Sequence, residues 1–80
     1  MKEEKGVYEE KIRRLRTMLE VAVEQGVMIF QSGRPASVQD IVDTQRVFEN
    51  YNYVPEFIVK NMSGEIKEIW YGDMASFNRG

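Results

Sequence analysis

The sequence predicts a small α+β domain in the order helix, short strand, helix, β-hairpin, with the helices packed on one face of a small, mainly antiparallel sheet. Three observations carry this expectation. A helical stripe occupies the first third of the chain, a second stripe follows a serine cap near position 37, and the period changes to that of strands in the last third.

The first helix rests on Tyr8, Ile12, Leu15, Leu19 and Ala22, whose 4-3-4-3 spacing sets them on one side of a helix spanning about Glu3 to Gln25. Met18 and Val23 widen the stripe, and Gly26 stands where a left-handed residue ends a helix. Val27, Met28, Ile29 and Phe30 are four consecutive apolar residues bounded by Gly26 and by Ser32-Gly33, which predicts a short buried strand. Gln31 to Ala36 reads as a connecting loop, because Gly33 and Pro35 interrupt regular structure. Arg34 within it offers an anion contact, without the glycine and lysine pattern of a nucleotide-binding loop.

Ser37 followed by Asp40 forms a capping-box start for the second helix, from Val38 to about Tyr51. Val38, Ile41, Val42, Phe48 and Tyr51 supply its apolar side, with Gln45 and Val47 at the edge. The stretch from Ile12 to Tyr51, with Thr44-Gln45-Arg46-Val47-Phe48 on its second helix, faintly resembles the small bacterial phosphatases that act on a sporulation response regulator. Those are helical hairpins whose second helix carries Ser-Gln-Glu-Leu-Asp. The glutamine alone matches, Phe48 stands at the functional aspartate, and the C-terminal hairpin has no counterpart there, so the chain is not assigned to that family.

Tyr53 to Lys60 and Glu65 to Tyr71 are rich in β-branched and aromatic residues and flank the turn-like Asn61-Met62-Ser63-Gly64. Pairing Asn61 with Glu65 across a three-residue loop with Gly64 left-handed sets Phe57 opposite Ile69 and Val59 opposite Lys67. Phe57, Val59, Ile69 and Tyr71 then face the core, and Ile58, Ile66 and Trp70 share the other face. Pro55 marks the first strand as an edge or an irregular start. Residues 1–72 are expected to form a single domain and residues 73–80 a flexible tail with Phe77 as its anchor.

Composition narrows the function. The chain has neither cysteine nor histidine, which removes disulfides, thiolate nucleophiles, the usual zinc ligands and the commonest general base. No cofactor, metal site or catalytic residue is expected. Met1 leads into Lys2, Glu3, Glu4 and Lys5 without a long apolar run, so neither a signal peptide nor a membrane span is expected and the cytoplasm is the predicted compartment. Glu56, Glu65, Glu68 and Asp73 read as solvating strand carboxylates, and Tyr51, Tyr53, Trp70 and Tyr71 as packing or interface rings.

The predicted function is therefore a noncatalytic protein-interaction or regulatory module. It would bind a partner protein or a second copy of itself through the first helix or through Ile58, Ile66 and Trp70. Nucleic-acid binding by Lys11, Arg13, Arg14 and Arg16 is the alternative, opposed by the net charge of −2 and by Glu9 and Glu10, each four residues ahead of an arginine. A small carboxylate- or magnesium-dependent enzyme is the third reading.

Overall fold

A computed structural model describes residues 2–48 and 52–72, with side chains from residue 8 onward. Among these residues two helices and a four-stranded mixed sheet make a small α+β fold. The elements are α1 (Lys2–Glu24), β1 (Met28–Gln31), β2 (Arg34–Pro35), α2 (Val38–Val47), β3 (Pro55–Lys60) and β4 (Ile66–Tyr71). In space the strands run β2-β1-β4-β3. β1 pairs antiparallel with β2 and β3 antiparallel with β4, while β1 and β4 run parallel at the centre. A parallel pair needs a long crossover. Here the connection contains β2, α2 and β3.

The α1 stripe buries as its spacing requires: Ile12 and Leu19 are almost without solvent contact, and Tyr8, Leu15 and Ala22 are half-buried. Met18 and Val23 do not widen it, because both lie on the exposed side of the helix. Leu19 joins Val27, Ile29, Ile41, Tyr53, Ile69 and Tyr71 in one buried cluster, with Val38 and Phe48 packed against it. Burying each such side chain contributes about 1.5–3 kcal/mol before chain entropy is counted.

β1 alternates instead of burying four residues in a row. Val27 and Ile29 are buried, Met28 is exposed and Phe30 half-exposed, the pattern of a sheet with one covered face. The segment read as a loop from Gln31 to Ala36 is a tight hairpin, with β2 pairing Pro35 with Phe30 and Arg34 with Gln31. Ser32 and Gly33 both have positive φ, 53° and 81°, as a two-residue type I′ turn demands. Its Ser32 N–H donates to the Tyr71 carbonyl at 3.0 Å, tying the turn to β4. A Cβ at Gly33 meets nothing within 4 Å, so Gly33→Ala should cost about 1 kcal/mol through backbone strain alone. Gly33→Asn should recover most of that loss in urea unfolding, since asparagine tolerates this conformation.

α2 begins with the expected capping box: the Asp40 amide donates to Ser37 Oγ at 3.1 Å and the Ser37 amide to Asp40 Oδ2 at 2.9 Å. Its last residue is Val47, with Phe48 as the C-cap, earlier than the Tyr51 boundary expected from sequence; residues 49–51 lie outside the described residues.

The second hairpin loop also forms as its composition implies. The Asn61 amide donates to the Glu65 carbonyl at 2.9 Å, Asn61 Oδ1 accepts from the Ser63 and Glu65 amides, and Gly64 has φ 87°. Beyond the loop the register departs from the sequence expectation. Phe57 pairs with Trp70, Ile58 with Ile69 and Val59 with Glu68. Two extra residues cause this: Lys67 is inserted in β4 between the pairs Val59–Glu68 and Lys60–Ile66, and Glu56 in β3 between Pro55–Tyr71 and Phe57–Trp70. A one-residue slip exchanges the two faces of a strand. Phe57 and Val59 are thereby removed from the core, where Ile69 and Tyr71 remain as expected.

Candidate functional site: two apolar surfaces on the sheet

Cross-strand partners share a face, so the observed register splits the three residues expected together. Trp70 lies with Phe57, Val59 and Glu68, whereas Ile58 and Ile66 lie with Ile69 and Lys60 on the side of the buried cluster. The expected Ile58, Ile66 and Trp70 face is corrected to two surfaces, and the bulge at Lys67 is the reason.

The first surface is a ladder of three rings across three strands. Phe30 of β1 stacks on Trp70 of β4 with ring centroids 4.0 Å apart and planes 10° from parallel, and Phe57 of β3 stacks on the other side at 5.3 Å and 17°. Stacked aromatic pairs of this kind contribute about 0.5–1.5 kcal/mol each beyond the area that they bury. Trp70 Nε1 donates to Glu68 Oε1 at 2.8 Å, which satisfies the indole and fixes its tilt. Met28 and Phe57 remain about half exposed, at 52% and 51%. Pro35, paired with Phe30, extends the strip. Of the residues registered on this face, Glu68 carries the charge.

The second surface is an open groove of about 790 Å³ between α1 and the β3–β4 hairpin, floored by Ile58, Ile66 and Ile69 and walled by Met18, Ala22 and Pro55. Met18, exposed on its helix, finds its surroundings here.

The basic stretch of α1 is largely engaged within the protein. Glu10 forms ion pairs with both Arg13 and Arg14, Arg16 donates to Gln39 Oε1 at 2.9 Å, and Glu9 reaches Arg46 of α2 at 3.6 Å in place of the expected Arg13. Exposed pairs such as these contribute little stability, but they occupy the cations. Arg34 is exposed on β2, beside a hairpin turn instead of the loop expected around it.

Glu65, Glu68, Asp43 and Asp40 have structural partners of their own. Glu65 accepts from Asn61, Glu68 from Trp70 and Asp43 from Gln39, Asp40 caps α2, and the Glu56 carboxylate lies against Gly72. Among the described residues no group of three potential metal ligands converges, and no helix is long and apolar enough to cross a membrane. Asp73, Phe77 and Tyr51 lie outside the described residues.

Gln45, expected at the edge of the apolar side of α2, is internal and belongs to a polar network. Gln45 is 2% exposed; its Oε1 accepts from the Tyr53 amide at 2.8 Å and its Nε2 donates to the Phe48 carbonyl at 3.2 Å. The Tyr8 hydroxyl adds a bond to the Gln45 carbonyl, clamping α1 to α2. The Tyr53 hydroxyl donates to the Gly72 carbonyl and accepts from Gln31, whose amide also reaches Thr44. Gln45, the one residue shared with the phosphatase motif, therefore serves the interior. The Tyr71 ring lies against that of Tyr53, and its hydroxyl is buried with no hydrogen-bond partner among the described residues. Burial, reinforced by the nearby Tyr53 hydroxyl, pushes its pKa up from 10.0 to about 12.

The structure gives Trp70 the neighbours Phe30 and Phe57, with Met28 on the same face, in place of the Ile58 and Ile66 that the sequence set beside it. The available signal was the alternation from Val27 to Phe30, concealed because every position in that run is apolar. Comparison of the chain with protein-family models, with curated proteins and with solved structures found no match, so its surfaces are the ground on which a function can be argued.

Proposed function

We propose that this chain is a small noncatalytic module that binds another protein through the sheet face centred on Trp70, with both helices on the opposite face. The observation that carries the reading is the Phe30, Trp70 and Phe57 ladder, an apolar strip three strands wide with Met28 and Val59 at its margins. Protein interfaces concentrate aromatic residues and methionine at their centre and keep charge away from it, which is the composition of this face. Its rings are already held by stacking and by the Glu68 bond, so little side-chain freedom is lost when a partner covers them. A reducing, aqueous compartment such as the cytoplasm suits a chain without cysteine.

The nucleic-acid alternative draws less support. Base-stacking platforms work inside a cationic groove. Here the charge beside the rings is Glu68, while Arg13 and Arg14 on α1 are paired with Glu10.

The test is capture from the source organism's lysate with and without nuclease, comparing the natural chain with Met28→Lys. Met28 is 52% exposed, so the substitution should leave the circular dichroism spectrum unchanged. The expected result is a nuclease-resistant protein partner retained about tenfold less well by the variant, as for loss of one interface contact. Equal retention would remove this face from consideration, and nuclease-sensitive capture would move the reading to α1.

A further inference from the structure

We propose that two copies of the chain join edge to edge through β3, antiparallel, with Ile58 beside its own counterpart on the twofold axis and the two four-stranded sheets made continuous.

Sheet order leaves β3 at the border, so the outer row of its N–H and C=O groups has no strand partner among the described residues. Borders of this kind are normally blunted by charge, proline or brevity. β3 carries Pro55, Glu56 and Lys60 at its ends, but its middle is Phe57, Ile58 and Val59, exposed at 51%, 44% and 38% and apolar on both faces. That middle is a template for another strand.

Charge identifies the occupant as a second copy. Glu56 and Lys60 stand equally far on either side of Ile58. An antiparallel pairing centred on Ile58 therefore sets Glu56 of each copy across from Lys60 of the other, twice over, and Phe57 across from Val59, an aromatic and β-branched pair that suits cross-strand contact. Neither Glu56 nor Lys60 has an ion-pair partner among the described residues. Centring the pairing on Phe57 or Val59 instead would put a charge against Ile58. Self-complementarity of one patch is what a twofold interface requires. Pro55 falls at the end of the paired stretch, across from Asn61, where its missing N–H interrupts nothing.

This edge goes beyond the Trp70 face and is tested separately from it. Sedimentation equilibrium of the full chain, from micromolar to submillimolar concentration, should give twice the chain mass. E56K and K60E should each weaken self-association about tenfold, because each replaces two opposite-charge pairs by two like-charge pairs. Mixing the two variants should restore association, since each E56K–K60E pair again matches lysine with glutamate at both sites. The E56K/K60E double variant should associate as the natural chain does, and M28K should associate normally whatever its partner capture. A monomer across the range, single variants that associate undiminished, or a mixture that fails to recover would each overturn the proposal.

Discussion

Replacing Gln45 with leucine should lower the free energy of unfolding by about 3 kcal/mol, although the new side chain is apolar, similar in size and enters a buried site. Gln45 is 2% exposed and joins the Tyr53 amide to the Phe48 carbonyl, so leucine leaves both backbone groups without their partner. An interior N–H deprived of its acceptor retains the full cost of its lost hydration. Net stability for a chain of this size is about 5 kcal/mol, so the variant should be close to half unfolded at modest denaturant. Urea titration followed by the fluorescence of Trp70, the single tryptophan, measures this directly. A loss under about 1 kcal/mol would mean that water reaches these groups and that the network does not hold α2 to the Tyr53 segment.

The Tyr71 hydroxyl gives the opposite sign. It is buried and has no partner among the described residues, so Tyr71→Phe should stabilise the protein by about 1 kcal/mol at neutral pH, since it removes a desolvated group without a hydrogen bond there. Its effect grows in alkali. The folded pKa is about 12, above the ordinary 10.0, so between those values the unfolded chain loses this proton while the folded one keeps it. Stability linked to Tyr71 is then complete below pH 10 and is lost as pH rises toward 12, a fall of about 2 kcal/mol. Subtracting the pH profile of the phenylalanine variant from that of the natural chain isolates this contribution from the other tyrosines and the lysines. Parallel profiles would show that the Tyr71 ring is solvated in the folded protein.

What could be read from the sequence was what neighbouring residues decide among themselves. The stripe from Tyr8 to Ala22, the Ser37 and Asp40 cap and the Asn61 to Gly64 loop each depend on chemistry within a few residues, and each appears where the spacing put it. The faces of the hairpin did not follow. Nothing local marks Lys67 or Glu56 as the residue to be left over when β4 fits between β1 and β3, and one such residue suffices to exchange Phe57 with Ile58. Trp70 keeps its expected place on the face away from Ile69 and Tyr71 because it lies one step from each of them, beyond the disturbance. Gln45 was misplaced for a related reason: a polar residue at the boundary of a helical stripe becomes interior only when a distant segment, here Tyr53, delivers a donor to it. The Ser32-Gly33 turn was visible as a break, but a strand of two residues containing Pro35 gives no period to recognise.

The parallel pairing of β1 with β4 also sets the order in which the molecule can assemble. It joins residues as far apart in sequence as Met28 and Glu68, while both hairpins close across loops of two or three residues. Contacts between distant residues form slowly, because the loop between them must be ordered before any contact offsets its entropy. Each hairpin can thus form early, and the central seam is the late step. During synthesis the consequence is sharper: β4 leaves the ribosome after the other three strands of its sheet, and until it arrives Phe30 lacks the indole that stacks on it. The nascent chain therefore carries an open strand and an uncovered ring from the emergence of β1 until that of β4, the interval in which it is most prone to capture by chaperones or by other unfinished chains.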